Sequence, residues 1–456
     1  MLRALTDTHN RFIQLLIVLM AVLFALILGV GVGYAPFYFS LLGGLVVGLA
    51  AAWFMVKYPH LTVTVFWVLF TVQATVFSQI TIQGLYYPIY GLMLLNVLLL
   101  FGQEKRKVPW FTISLYAAFF IIVLLSLFSI AAVVTIDFEI WQKLFIFFLG
   151  AVVAFQFRSE RSLTHFAYGQ IFSMLIISAW VIDTAAKTGF ADRGGIGVNE
   201  NVVSAMIGLG IIPLYTRLIA GKNNFLSRTF ILALFMFGLY ALLILASRGG
   251  TIALAMALFV ITMRILFNPK RFIYLIFGGM LALIALSSLP GSNNVFVRFS
   301  ASDISTLNDR LPLWQAGVST IMRSTPFQLF FGHGFDASRV VAGTIFGHLD
   351  SIHNAYLQFI IEFGIIGLTL FLAIHLVSFF QSWRYDDERA LHATGTITAL
   401  LFFNLTGTTP DTFIYWIALG FALAVSMVKE NDRAFFRTTN SDEAKALEPD
   451  TSPQTS

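Results

Sequence analysis

The sequence predicts an all-α polytopic membrane protein. Of its 456 residues, 58% are hydrophobic and only 11% are charged, whereas a soluble domain carries about 25% charged residues. The hydrophobic residues form long continuous runs, and a helix of about 20 apolar residues crosses roughly 30 Å of hydrocarbon. Such runs are too long and too continuous for membrane β-strands, which need about ten residues of alternating polarity. The chain has no cysteine, which excludes disulfides and cysteine-based metal sites or nucleophiles.

Fourteen apolar runs are candidate transmembrane helices, and since two of them are short, we expect about 12–14 spans. The runs are 12–32, 37–56, 61–80, 84–101, 111–134, 140–157, 163–183, 200–220, 229–246, 250–267, 271–289, 355–380, 391–405 and 411–428. The short pair is 391–405 and 411–428. No small-residue cleavage site follows the first run, so we interpret it as an uncleaved span rather than a signal peptide.

These runs divide the chain into a first part of the bundle (1–289), a large loop (290–354), a last part of the bundle (355–428) and a polar tail (429–456). The tail is rich in Ser, Thr, Pro and acidic residues, which predicts disorder. Within the loop, residues 308–314 begin an amphipathic helix. Its apolar stripe is predicted to face the membrane surface or the bundle, and consists of Leu311, Trp314, Val318 and Ile321.

The distribution of positive charge predicts that both termini lie in the cytoplasm and that the loop 290–354 lies on the opposite face. With this orientation 20 of the 28 Lys and Arg residues fall on the cytoplasmic side, as the positive-inside rule requires. The other eight are Lys143, Lys187, Arg193, Arg248, Arg298, Arg310, Arg323 and Arg339.

Most basic residues on the outer face are arginines, whose planar fork matches a phosphate group in a bidentate geometry that lysine does not offer. Together with His333, His348 and His353, they indicate a site that binds an anion. The alternative is that these arginines pair with acidic residues of the same face, which are Asp192, Asp303, Asp309, Asp336 and Asp350.

Two glycine-rich turns on this face carry candidate ligands for the anion. The segment 192–201 contains Arg193 and three glycines, and Asn199 can cap the following helix, whose N-terminus would then point towards an anion. An ordinary turn is the alternative. In the tight turn 247–250, Arg248 is costly to place near hydrocarbon unless it is paired or extends to the membrane surface, and since serine and glycine alone would form such a turn, we favour a functional role for it over a structural one.

His353 lies where the loop enters the apolar run 355–380, and a neutral imidazole is able to accept a proton there. A structural role is the alternative. Glu362 lies about 13 Å further along the predicted helix, so we expect it to pair inside the bundle rather than orient His353. For His333, between two glycines, we expect a role in packing and backbone geometry.

In order and spacing, these segments resemble the O-antigen ligase/polymerase superfamily of bacterial envelope glycan enzymes. The matching segments are 193–201, 247–249, 310–314, 332–334, 353–357 and 362–367. They lie in the second half of the chain, whereas the first six spans are similar only in kind.

The resemblance implies a GT-C-like membrane glycosyltransferase of the bacterial inner (cytoplasmic) membrane with a periplasmic active site. It implies a donor glycan on undecaprenyl diphosphate and an acceptor hydroxyl on lipid A-core or on a lipid-linked repeat. Arg193, Arg248 and Arg310 would bind the diphosphate, and His353 would act as the base beside Arg248. Inversion at the anomeric carbon is expected. No metal, cofactor or nucleic acid is expected, and membrane lipids are the remaining partner.

Within the superfamily we favour a ligase that transfers finished polymer to lipid A-core over a polymerase that extends a lipid-linked chain. A transferase that glycosylates proteins is a third possibility. A lipid-linked glycan transporter belongs to another class and typically carries charges near mid-membrane and broken helices. Apart from Glu362 the predicted spans are nearly free of charge, which favours an enzyme acting at one surface. A scaffold would not explain the arginine-bearing turns.

Overall fold

The computed structural model describes residues 57–58, 61–75, 110–127, 138–157, 159–189, 199–221, 223–265, 288–291, 310–347, 351–407 and 412–446. Within those residues the structure contains thirteen α-helices and no strand, which confirms the predicted all-α class. The helices are α1 Thr62–Thr75, α2 Trp110–Ser126, α3 Phe138–Gln156, α4 Glu160–Lys187, α5 Glu200–Ala220, α6 Phe225–Leu245, α7 Arg248–Ile265, α8 Arg310–Met322, α9 Pro326–Phe331, α10 Ala337–Phe346, α11 Ala355–Trp383, α12 Glu388–Phe403 and α13 Phe413–Ala446.

By its internal contacts the chain divides into two compact units. One comprises Met1–Thr62 with Gln79–Glu104, and the other comprises Val63–Ser78 with Lys105–Ser456. The helices α2 to α13 belong to the second unit.

Ten of the fourteen predicted spans coincide with a helix, including the short pair that forms α12 and α13. Predicted spans 12–32, 37–56, 84–101 and 271–289 lie wholly or almost wholly outside the described residues. Among the described helices, α4, α5, α6 and α11 are long and apolar enough to cross a membrane. The helix α12 is more polar than these four helices, and most of its residues are buried against other helices.

Short polar side chains fix where several helices begin. Ser159 caps α4, Asn224 caps α6 and Asn354 caps α11, in each case by accepting a hydrogen bond from a main-chain N–H of the first turn. Asp387 caps α12 in the same way. Such caps satisfy donors that have no partner within the helix.

The helix α11 is broken at Gly364, whose backbone adopts φ 67° and ψ −172°. The break frees the carbonyl groups of the preceding turn, and the loop after α9 supplies their donors. The N–H of His333 donates to the oxygen of Ile361 at 2.7 Å, and the N–H of Gly334 donates to the oxygen of Glu362 at 3.3 Å. An unsatisfied carbonyl group at membrane depth is costly, so this pairing allows the helix to be interrupted.

The loop helices α8 and α10 pack on the first part of α11. A small apolar cluster of Leu313, Ala342, Ile352 and Ile361 lies between them. The structure divides the predicted stripe of α8 between two faces. Trp314 and Ile321 pack against this cluster, but Leu311 and Val318 are exposed on another face of α8. The buried face is centred on Leu313 and Gly317 because Gly317 lets Ile352 and Ile361 approach closely.

Charged side chains gather where α4 and α12 begin and where α5, α7 and α11 end. Glu160 at the start of α4 forms ion pairs with Arg389 of α12 and Lys429 of α13. Arg264 near the end of α7 stacks over Trp383, its guanidinium 4.9 Å from the ring centre. Glu160 in the first turn of α4 and Arg264 in the last turn of α7 are also placed favourably for the dipoles of their helices.

The last helix extends beyond the predicted boundary of the bundle. The sequence predicts a disordered tail from residue 429, but α13 continues to Ala446. The segment 429–446 contains no proline or glycine, so nothing in it breaks a helix that the bundle has already nucleated. Residues 447–456 lie outside the described part of the chain.

Candidate functional site

The turn at the end of α12 connects three elements that carry predicted site residues. The oxygen of Asn404 accepts a hydrogen bond from the N–H of Ala355, the first residue of α11, at 2.9 Å. Two residues later, the oxygen of Thr406 accepts a hydrogen bond from the Nη1 of Arg310 at 2.7 Å. The side chain of Thr406 also packs directly against Gly249, where a Cβ atom would overlap it. The turn therefore holds the starts of α7, α8 and α11 at one end of the bundle.

The hydroxyl group of Ser247 links the starts of α5 and α7. It donates a hydrogen bond to the Oδ1 of Asn201 and accepts one from the hydroxyl of Ser204, each at 3.0 Å. It also accepts from the N–H of Gly250 at 3.2 Å, which caps α7. One donor and two acceptor positions are thus used, which is the full capacity of a hydroxyl group. Arg248 is the first residue of α7 and its main chain is fixed by this network.

This end of the bundle is electrostatically suited to an anion. Burial lowers the pKa of the Arg310 guanidinium, and the nearby positive charge of Arg248 lowers it further. Two close arginines repel each other, and a bound anion removes that cost. The helices α5, α7, α8 and α11 begin here, whereas α6 and α12 end here, so four positive helix ends outnumber two negative ones.

His353 lies two residues before α11, between the buried Ile352 and the cap residue Asn354. It is half-buried, and its φ of 53° places it in the left-handed region. That conformation is uncommon for a residue with a side chain, and the N–H of His353 is held by the hydroxyl of Ser351 at 3.1 Å. The structure therefore brings His353 to the same end of the bundle as Arg248 and Arg310.

Arg193, the remaining predicted ligand, lies outside the described residues. The helix that follows its segment begins as predicted: Asn199 caps α5 by accepting from the N–H of Asn201 at 3.0 Å. The alternative of ordinary ion pairing does apply to Arg339, whose Nη1 lies 3.2 Å from a carboxylate oxygen of Asp336. Arg310 differs, because the acceptor of its hydrogen bond is a main-chain oxygen that carries no full charge.

Glu362 and His333 take part in the loop packing rather than in the arginine cluster. Glu362 is buried, and its carboxylate accepts a hydrogen bond from the hydroxyl of Ser338 in α10 at 2.5 Å. One partner of Glu362 is therefore a residue of a loop helix, whereas the sequence predicted pairing inside the bundle. His333 contacts the hydroxyl of Ser324 through its Nε2 at 2.7 Å, and burial lowers its pKa. Its main-chain bond to Ile361 fits the predicted structural role.

The residues that sequence reasoning missed are Asn404 and Thr406, which act mainly through their carbonyl oxygens. The polar run 404–409 between two apolar runs on the predicted outer face was the available signal. In the part of the chain that the structure describes, no group of three or more His, Asp or Glu residues is arranged to hold a metal ion.

The fold and this site define a polytopic membrane protein with a cationic site at one end of its helical bundle. Residues 231–372 match the family model described as O-antigen ligase, which confirms the resemblance to the O-antigen ligase/polymerase superfamily. The match includes Arg248, Arg310 and His353 but not Arg193. No curated protein matches the chain. The family indicates a membrane glycosyltransferase of the ligase or polymerase type, acting on lipid-linked glycan and acceptor substrates.

Proposed function

We propose that the protein transfers a glycan from undecaprenyl diphosphate to a hydroxyl group of lipid A-core at the periplasmic face of the inner membrane, as an O-antigen ligase. The single observation that carries the proposal is that one turn holds two arginines at the same end of the bundle: Arg310 on α8 donates to the oxygen of Thr406, whose side chain packs against Gly249, next to Arg248 on α7. A diphosphate group brings the compact negative charge that such a pair binds. Arg193 is proposed as a third ligand.

The depth of the pair in the membrane fits a diphosphate at the end of a lipid. Arg264, stacked on Trp383, marks the opposite end of α7. Sixteen residues separate it from Arg248, which corresponds to about 24 Å along a helix. Since the hydrocarbon layer is roughly 30 Å thick, this separation supports a position of Arg248 near the boundary of the layer, where the lipid chain ends and the phosphate groups begin.

The proposed reaction is a displacement at the anomeric carbon. The acceptor oxygen attacks that carbon and forms the new glycosidic bond, while the bond between carbon and diphosphate oxygen breaks with inversion. His353 takes the proton of the acceptor hydroxyl. Arg248 and Arg310 stabilise the charge that develops on the leaving diphosphate. Charge-assisted hydrogen bonds contribute about 1.5–3 kcal/mol each, and the part of this energy that is gained only as charge grows on the leaving group lowers the barrier; the proposed reaction uses no metal ion.

The experiment replaces site residues in the full chain and measures glycan transfer in a strain from which the gene is deleted. His353→Asn is the sharpest variant of the base, because asparagine tolerates the left-handed backbone at this position but is not a base. Arg248→Ala and Arg248→Lys separate loss of charge from loss of the planar fork. We expect His353→Asn and Arg248→Ala to abolish transfer and Arg248→Lys to retain a small part of it.

Arg339→Ala is the matched control, because Arg339 lies in the loop 290–354 with Arg310 and His353 but forms an ion pair with Asp336. It should support normal transfer. Near-normal transfer by both Arg248→Ala and His353→Asn, at normal protein levels, contradicts the site assignment.

The glycan that accumulates on gene deletion distinguishes the ligase from the polymerase. Unligated polymer on the lipid carrier is expected for a ligase, whereas single repeats capped onto the acceptor indicate a polymerase. The break in α11 is one feature that transporters share, so proteoliposomes should also be tested for movement of lipid-linked glycan. Movement of lipid-linked glycan across the bilayer, without transfer of the glycan to an acceptor, contradicts the proposal that the protein is an enzyme.

A further inference from the structure

We propose that the loop helices α8 and α9 form an interfacial membrane anchor, whose second apolar face inserts among the lipid acyl chains at the site's end of the bundle. The surface consists of side chains that no other part of the described chain covers. They are Leu311, Val318, Met322, Phe327 and Phe330, with exposed fractions of 41%, 49%, 81%, 64% and 51%.

The helix α8 is apolar on two faces. Leu313 and Gly317 are buried against α11, whereas Leu311, Val318 and Met322 lie on one exposed stripe, interrupted by Gln315. The short helix α9, Pro326–Phe331, contains no charged residue and buries none of its side chains completely. A helix that rests on protein with one side and exposes apolar groups on the other needs a second apolar environment.

The position of α9 along α11 identifies that environment as lipid. About 20 helical residues cross the hydrocarbon layer, and counting back from Trp383 reaches Gly364. The loop directly after α9 bonds to α11 at this level, through the N–H groups of His333 and Gly334. Beyond the break, α11 exposes Ile365, Leu376 and Phe380 on its own surface. The phenylalanines of α9 therefore lie at the depth at which the lipid-facing surface of a spanning helix begins.

The turn between the two helices is polar and suited to the headgroup layer. Arg323 is exposed and stands between Met322 and the α9 phenylalanines. Arginine side chains at this depth extend towards lipid phosphates while their carbon chains stay among apolar groups. Apolar side chains on two helices with a cationic turn between them are typical of segments that lie in the membrane interface.

The test uses the cysteine-free chain, in which a single introduced cysteine takes up one nitroxide label. Phe327→Cys, Phe330→Cys and Met322→Cys variants of the full chain are placed in liposomes of phosphatidylethanolamine and phosphatidylglycerol. The accessibility of each label to oxygen, which concentrates in hydrocarbon, is compared with that to a water-soluble nickel chelate. Phe172→Cys, 55% exposed on α4, is the lipid control, and Thr188→Cys, after the end of α4, is the aqueous control.

We expect labels at 327 and 330 to give oxygen-to-chelate ratios several-fold above that of Thr188→Cys and close to that of Phe172→Cys. Preference for the chelate at all three test positions overturns the proposal. Shielding from both reagents also overturns it, because a protein partner or a second copy then covers the surface. Met322→Cys keeps the test decisive should a phenylalanine variant not fold. The accessibility of the labels does not depend on glycan transfer, so failure of the anchor proposal can be distinguished from failure of the proposed function.

Discussion

At the scale of single residues, the site depends on the absence of a side chain at Gly249. A Cβ atom there would overlap the hydroxyl group of Thr406 and crowd its Cβ. The displaced turn would carry away the carbonyl oxygen that accepts from Arg310. We therefore expect Gly249→Ala to reduce glycan transfer strongly and to lower the free energy of unfolding by about 1–3 kcal/mol, the usual cost of overpacking.

The second-site variant Thr406→Gly provides the control, because it removes the three atoms nearest to the new methyl group, all in the Thr406 side chain, but keeps the main-chain acceptor. The double variant Gly249→Ala with Thr406→Gly should recover much of the transfer. Equal loss in the single and double variants contradicts the steric explanation.

Ser247 gives a second prediction at this scale. Its hydroxyl makes three hydrogen bonds, of which two join α5 to α7 and the third caps α7. Ser247→Ala removes a helix cap and leaves polar groups of Asn201 and Ser204 without that partner, so we expect a loss of about 1–3 kcal/mol in stability. Thermal unfolding of the purified protein measures this, and Ser247→Thr, which keeps the hydroxyl, should lose less. An unchanged melting temperature for Ser247→Ala contradicts the prediction.

The sequence indicated Arg248, Arg310 and His353 because charged or titratable side chains are conspicuous among apolar residues. It did not indicate Thr406, since a carbonyl oxygen is present at every position of the chain and only the fold selects one. The same limit applies to Asn404, whose oxygen holds Ala355.

At the scale of elements, the break in α11 depends on Gly364. Its φ of 67° and ψ of −172° lie in a region that only glycine adopts readily, where a residue with a side chain costs about 1–3 kcal/mol, and a Cβ atom would also overlap the main-chain oxygen of Phe330. Gly347, with φ 74° and ψ 3°, lies in the milder left-handed region and has open space around it. Gly364→Ala should therefore destabilise the protein clearly more than Gly347→Ala. Comparison of their melting temperatures checks this, and equal losses would contradict a combined cost of backbone strain and of the contact with α9 at Gly364.

The apolar run 355–380 predicted the position of α11 but not its interruption. Glycine is tolerated within a membrane helix, so Gly364 alone does not indicate a break. The break forms because His333 and Gly334, some thirty residues earlier in the chain, provide the donors that the interrupted helix needs. Partners that are distant in sequence are not visible in the periodicity of a single run.

At the scale of the whole molecule, the two ends of the bundle differ in charge chemistry. One end carries ion pairs such as Arg389 with Glu160 and Lys429 with Asp387. The other end carries the arginine cluster and helix N-termini. The positive-inside rule predicts that the first end lies in the cytoplasm, and the candidate site would then lie on the opposite side of the membrane.

Labelling of single cysteines tests this orientation. Asp386 is exposed at the ion-pair end, with 94% of its side chain accessible, and Thr188 is exposed after the end of α4. In intact spheroplasts, a maleimide that does not cross membranes should label Thr188→Cys but not Asp386→Cys. After the membrane is opened, both should react. The reverse pattern would place the candidate site in the cytoplasm and contradict the proposed periplasmic reaction.

The main-chain acceptors at the end of α12 also affect how this region can vary in evolution. Any amino acid at position 406 provides the oxygen that holds Arg310, so related proteins need not share a residue there. Selection would act instead on the distance between the end of α12 and the start of α13, and on a small residue opposite the turn, as Gly249 is. An insertion or deletion within the turn should therefore inactivate the protein more often than a substitution at the same place.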